Sequence, residues 1–153
     1  MLEEIYNFLE ISDRIATSGQ PTEDQLREIG RAGYEVVINL GLVGTDYALE
    51  DEESLVCSLE MEYVHIPVQW EKPTRENFDG FISAMDLFQG KKVFIHCAAN
   101  MRVSVFMALY RVIRHGWELE HAMQDLHRIW EPNEIWTNFI QQVMRFGYKS
   151  EES

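Results

Sequence analysis

The sequence predicts an α/β fold: a mostly parallel sheet of four or five strands flanked by helices, with further helices closing the chain. Three observations predict it. Short β-branched runs, Val36-Val37-Ile38 above all, have the composition of strands buried on both faces. Segments with apolar residues at helical spacing separate those runs through the first two thirds of the chain. From Arg102 to Phe146 only the helical spacing remains. Strands alternating with helices give parallel strands joined by crossovers.

The elements follow in order. Leu2 to Leu9 carries a helical stripe through Leu2, Ile5, Tyr6 and Leu9 and is expected to be a short helix. Arg14 to Thr17 is a strand, and Ser18-Gly19-Gln20-Pro21 a turn. Thr22 caps a helix with Gln25 completing a capping box, and Gly33 ends it. Glu35 to Leu40 is a strand, followed by a loop from Gly41 to Asp46. Tyr47 to Leu59 is expected to be helical, with Leu49, Glu53, Val56 and Cys57 on one face. Tyr63 to Val68 alternates as a strand and leads into the loop Gln69 to Thr74. Phe78, Phe81, Ile82, Met85 and Phe88 make the core stripe of the next helix, which Gly90 stops. Lys92 to His96 is a strand and Arg102 to His115 a strongly apolar helix ended by Gly116. Glu118 to Ile129 and Asn133 to Phe146 are two more helices, and Lys149 to Ser153 is a frayed tail.

The 153 residues read as one domain, 1–153, with its core at about 10–146. A hydrophobic content of 46% is that of a globular protein, and no run of about 18 apolar residues offers a membrane span. The acidic Met1-Leu2-Glu3-Glu4 lacks the basic and apolar pattern of a leader, so a cytoplasmic location is expected. A formal net charge of −13 argues against nucleic acid as a partner. The acids gather at the termini and in Glu50-Asp51-Glu52-Glu53, which reads as solvated surface. Two Cys make no disulfide framework. Cys57 is expected to be a buried structural thiol, with a resolving role toward Cys97 as the other reading. His65, His115, His121 and His127 show no ligand spacing, so neither a metal nor a cofactor is expected. Oligomeric state is not legible.

Chemistry concentrates in Val93-Phe94-Ile95-His96-Cys97-Ala98-Ala99-Asn100-Met101-Arg102-Val103-Ser104. An apolar strand, a compact loop of small residues and a helix start follow one another. Loop amides and the helix dipole then converge on one spot and make an anion site. A thiol at a helix N-terminus is more readily a thiolate than a free one. Arg102 adds a planar fork of donors for the same anion. Ala98 and Ala99 let the backbone approach a ligand closely. Asn100 is either the positive-φ residue of the loop or a donor to the anion. Met101 completes the candidate anion-binding set Ala98, Ala99, Asn100, Met101 and Arg102.

His96-Cys97, the small-residue loop, Arg102 and Ser104 resemble the signature of cysteine-dependent tyrosine/dual-specificity phosphatases. The likeness is closest to a bacterial subfamily related to the phosphatase-like domain of beta-lactamase-hydrolase-like proteins. Ser12-Asp13-Arg14-Ile15-Ala16-Thr17-Ser18-Gly19-Gln20-Pro21 and Val36 to Leu40 resemble the opening of that domain, so the likeness spans roughly residues 10 to 145. It implies hydrolysis of a phosphorylated small molecule or protein through a cysteinyl-phosphate on Cys97. Arg102 would hold the phosphoryl oxygens. His96 would orient the loop through backbone hydrogen bonds. Ser104 would either bond the thiolate or be a plain first-turn helix serine.

The general acid of this family is an Asp in the loop after the preceding strand. Here Val68-Gln69-Trp70-Glu71-Lys72 has none, so Glu71 is the first candidate, Asp46 the second and Glu131 the third. Trp70 is either a wall of the substrate pocket or a packing residue. Four residues separate Cys97 from Arg102 where the family usually has five. The six-residue loop is also similar to that of rhodanese-type sulfurtransferases. A sulfurtransferase and a phosphate-binding module without turnover therefore stand as the other readings.

Overall fold

The computed structural model describes residues 2–146. Among them one sheet runs in the order β1-β2-β5-β3-β4, formed by β1 (Leu9–Glu10), β2 (Ile15–Ser18), β3 (Val36–Asn39), β4 (Glu62–His65) and β5 (Val93–His96). The pairs β2–β5, β5–β3 and β3–β4 are parallel. β1 is an antiparallel edge strand that sets Leu9 opposite Thr17. The helices are α1 (Glu23–Arg31), α2 (Glu52–Ser58), α3 (Arg75–Leu87), α4 (Met101–His115), α5 (Leu119–His127) and α6 (Glu134–Phe146). The mostly parallel α/β sheet and its flanking helices are those the sequence predicts.

Period-two geometry splits the strands between two cores. Val36 and Ile38 of β3 and Val93 and Ile95 of β5 pack with Phe78, Phe81, Phe106, Trp136 and Phe139 of α3, α4 and α6. Val37 and Phe94 belong to the other core, with Ala16, Leu26, Ile29 and Val56. Burial on both faces explains why these strands read as continuous apolar runs. The helix signals also hold. Thr22 and Gln25 form the capping box of α1, and Thr74 and Asn77 form one at α3. Asn133 caps α6 by accepting from the Trp136 amide at 2.9 Å. Gly116 ends α4 at φ 71°, a left-handed position that glycine fills without steric cost.

Three expectations are corrected. Leu2 to Leu9 is not a helix: a 3₁₀ turn covers Leu2–Glu4, and Leu9 enters β1. Asn7 adopts φ 52°, which reverses the chain, and Tyr6 is left exposed. Tyr47 to Leu59 is helical only over Glu52–Ser58, because Asp51 at φ 57° caps α2 and accepts from the Ser54 amide. The inward stripe of α2 is therefore Glu52, Leu55, Val56 and Leu59, while Glu53 and Cys57 face solvent. Cys57 is an exposed free thiol rather than a buried one, and Cys97 is the buried one. The tail Lys149–Ser153 lies outside the described residues.

Candidate active site

β5 lies in the middle of the parallel strands, between β2 and β3. Ser18, His96 and Asn39 are in register, so the three strands end together. The carboxyl edge of such a sheet is where α/β proteins bind ligands. Cys97 follows β5 at this edge, 1% exposed, with its amide 3.4 Å from the Ser18 carbonyl oxygen.

The loop after Cys97 is held from outside. The Gln20 amide donates to the Ala98 carbonyl at 3.0 Å. Asn7 Nδ2 donates to the Ala99 carbonyl at 2.9 Å. Asn100 takes φ 66° and starts α4, so its expected positive-φ role is the one observed. Its side chain does not face an anion, however. Buried Nδ2 donates to the Asn7 carbonyl at 2.9 Å and to Thr17 Oγ1 at 3.0 Å. Gly19 and Ala99 pair as an isolated antiparallel bridge, and among the described residues no acceptor sits at normal hydrogen-bond geometry to the amides of Ala98, Ala99, Asn100, Met101 or Arg102. Loop amides leading into a helix N-terminus are donors of the kind that bind oxyanions.

Arg102 sits in the first turn of α4, 5% exposed. Nη1 donates to the Val68 carbonyl at 2.7 Å and Nη2 to the Tyr47 hydroxyl at 3.3 Å. These two contacts draw on two of its five N–H donors. The Leu42 amide also donates to the Tyr47 hydroxyl, at 2.8 Å. Burial raises the Tyr47 phenol, but these donors and the Arg102 charge outweigh it and hold the phenol below its ordinary value.

His96 is fully buried, and its partner is not backbone. Nε2 lies 2.6 Å from Glu52 Oε2, which corrects the expectation of backbone hydrogen bonds from this side chain. Glu52 Oε1 accepts from Gln20 Nε2 at 2.9 Å. Burial pushes the Glu52 carboxyl up, but the charge and hydrogen bond of His96, the Gln20 amide and the charge of His65 bring it below the ordinary carboxylate value. Glu52 is only 6% exposed, so one member of the acidic run is no part of the solvated surface. Ser104 gives its hydroxyl to the Met101 carbonyl at 2.7 Å and accepts from Trp130 Nε1 at 3.0 Å. That is the back-bonded geometry of a first-turn helix serine.

Glu71 and Asp46 both occupy exposed loop positions. Among the described residues neither carboxylate contacts Cys97 or Arg102. Glu71 follows Trp70, whose ring lies 5.2 Å from Trp130 and 5.9 Å from Trp136, and whose carbonyl accepts from Trp136 Nε1 at 2.9 Å. Trp70 thus anchors its loop by packing. Glu131 pairs with His127 at 2.5 Å. His121 stacks on Trp117 at 4.3 Å. The residues that sequence reasoning missed are Glu52, Tyr47, Gln20 and Asn7.

A central-strand loop with a buried cysteine, a row of amides and an anchored arginine defines a phosphatase-like α/β protein of the tyrosine/dual-specificity kind. Residues 7–138 match the family described as a DSP-PTPase phosphatase fused to NAD+ kinase, and the chain belongs to that family. A DUF442 protein from Shewanella putrefaciens CN-32 is 32% identical, with a TM-score of 0.87 over 94% of this chain and 95% of that one. The beta-lactamase hydrolase-like protein of Xylella fastidiosa is 27% identical over 137 residues, 78% of this chain. The chain spans about a third of that relative, 32% of its length. Tk-PTP in its active form shares the fold, with a TM-score of 0.77 at 21% identity over 92% of this chain and 97% of that one. Among the described residues no helix is long and apolar enough to cross a membrane.

Proposed function

We propose that the protein is a cysteine-dependent phosphomonoesterase acting on phosphotyrosine-like or small aryl and alkyl phosphates. The observation that carries this reading is the run of loop amides from Ala98 to Arg102, beside Cys97 at the start of α4, with no acceptor at normal hydrogen-bond geometry among the described residues. Tetrahedral oxyanions bind such donors, and preorganised donors stabilise charge that develops in the transition state. The Cys97 thiolate attacks phosphorus, the P–S bond forms and the P–O bond to the leaving group breaks. The leaving oxygen takes its proton from Glu71, the nearest carboxylate in sequence to the Val68 carbonyl that holds Arg102. Water then attacks the phosphoryl group, the P–S bond breaks, and the water proton returns to Glu71. Arg102 turns its remaining donors to the equatorial oxygens.

Hydrolysis of a generic aryl phosphate from pH 5 to 8, wild type beside Cys97→Ser, tests the reading. Turnover that is lost with the serine and competitively inhibited by vanadate supports it. Activity that survives the serine overturns it. A single sulfur added to Cys97 by thiosulfate, without phosphate hydrolysis, would replace it by the sulfurtransferase reading.

A further inference from the structure

We propose that Asn7 is a positioning residue that sets the orientation of the oxyanion cradle from the opposite end of the chain. The inference rests on the phosphate reading of the Cys97 loop and names a residue through which that loop works.

A trans peptide unit is planar, and its C=O and N–H point in opposite directions. The Ala99 carbonyl and the Asn100 amide belong to one such unit. Asn7 Nδ2 binds that carbonyl at 2.9 Å, so the Asn100 N–H is turned away from the N-terminal segment. The unit before it is fixed in the same sense. The Gln20 amide holds the Ala98 carbonyl at 3.0 Å, which turns the Ala99 N–H away as well. Neither amide has an acceptor at normal hydrogen-bond geometry among the described residues, although Gly19 and Ala99 pair as an isolated antiparallel bridge. Without these two outside donors, either peptide plane could rotate and present an oxygen to the anion in place of an N–H.

Asn7 is suited to this by its own conformation. It takes φ 52°, and Asn100 takes φ 66°. Asn is among the non-glycine residues that tolerate this region best. Bonds run both ways between Asn7 and the loop: Asn7 Nδ2 donates to the Ala99 carbonyl, and Asn100 Nδ2 donates to the Asn7 carbonyl at 2.9 Å. One residue upstream, the Tyr6 carbonyl accepts from the Gly19 amide at 2.7 Å. The segment that the sequence predicts as a helix is thus a clamp, joined to the Cys97 loop at two points and to Gly19 at a third. Asp at position 7 would keep the shape and lose the donor. Its carboxylate would face the Ala99 carbonyl and repel it, favouring the rotated plane.

The test is calorimetric titration of the full chain with sodium tungstate, a tetrahedral oxyanion that needs no turnover, alongside thermal unfolding without anion. Wild type, Asn7→Asp and Asn7→Gly are compared, the glycine keeping the positive φ. The inference expects tungstate affinity to fall tenfold or more in both variants while anion-free Tm values stay within a few degrees. Equal affinity in all three overturns the role of Asn7 and leaves the phosphate reading standing. A lowered Tm with unchanged affinity reduces Asn7 to a structural residue and overturns the role too. If the wild type binds no tungstate, the phosphate reading itself fails, and the inference with it. Should the aspartate variant not fold, the glycine variant alone decides by the same criteria.

Discussion

Glu52 Oε2 lies 2.6 Å from His96 Nε2, joining α2 to the last residue of the strand that carries Cys97. The same carboxylate takes the Gln20 side chain at 2.9 Å, and the Gln20 backbone holds the Ala98 carbonyl. One buried anion therefore braces the loop on both sides of Cys97. Removing a charged partner from such a site leaves the others buried and poorly matched. Glu52→Gln is expected to cost about 1.5–3 kcal/mol, the range for hydrogen bonds to charged groups. Thermal unfolding at pH 7 reads it as a loss of several degrees in Tm. An unchanged Tm would show that the pair does not brace the fold.

The pH dependence of that loss has a definite sign. The Glu52 carboxyl lies below the ordinary value of 4.5: burial raises it, but His96, Gln20 and His65 together lower it further. A carboxyl depressed on folding binds fewer protons in the folded state. Its stabilisation is present above the unfolded value and is lost as pH falls through the folded one. The Tm gap between wild type and Glu52→Gln should be full at pH 6–7 and shrink below about pH 4.5. A gap equally wide at pH 3 and pH 7 would mean that the carboxylate charge contributes nothing.

Gly19 lies against the back of the loop. A Cβ there would meet the Ala98 carbonyl oxygen at 2.6 Å, Tyr6 Cδ2 at 2.7 Å and Ala99 Cα at 3.1 Å. Two of these are backbone atoms of the loop after Cys97, which cannot rotate away. Gly19→Ala is expected to destabilise by about 1–3 kcal/mol, as overpacking does. A displacement near 1 Å at the nucleophile costs on the order of 10²-fold in rate. Gly80→Ala is the control. Inside α3 its Cβ would meet only Ile66 Cγ2 at 3.9 Å and Cδ1 at 4.0 Å. It should stabilise by about 0.5–1 kcal/mol through helix propensity and leave the rate unchanged. Denaturant unfolding with aryl phosphate hydrolysis separates the two variants.

Tyr47 holds Arg102 through a single oxygen, which also takes the Leu42 amide. Tyr47→Phe keeps the ring beneath the guanidinium, 5.9 Å from its centroid, and removes that oxygen. Losing one hydrogen bond of about 1 kcal/mol is worth roughly fivefold in affinity. Tungstate affinity should fall by about that factor. An affinity equal to wild type would assign the positioning of Arg102 to the Val68 carbonyl alone.

Sequence and structure agree where physics is local. The run Val93 to His96, the small loop and the periodic helix from Arg102 each carry their own signal, so the strand, the turn and the place of Cys97 were legible. Glu52 was not, because it sits in a run of four acids that reads as solvated. Its one sign was its spacing with Leu55, Val56 and Leu59, which becomes visible only once Asp51 is taken as the cap of α2. Asn7 had no local sign at all. Its partner Ala99 lies 92 residues away, and the two-residue strand β1 that follows it is defined only by pairing with β2.

Glu71 gives the last prediction. A proton donor matters in proportion to how poor the leaving group is. An aryl phosphate departs readily, whereas an alkyl phosphate needs its oxygen protonated. The loop that carries Glu71 is anchored at Trp70 by the Trp136 indole and at Val68 by Arg102, so its tip holds a fixed relation to the arginine. General acid catalysis contributes about 10²–10⁴-fold, and Glu71→Gln should remove on the order of 10² for alkyl phosphates and less than tenfold for activated aryl ones. Asp46→Asn should leave both rates close to wild type. Parallel assays on one alkyl and one aryl phosphate decide it. Equal losses on the two substrates would point to a packing role for Glu71. A selective alkyl loss in Asp46→Asn would move the proton donor to the loop after β3.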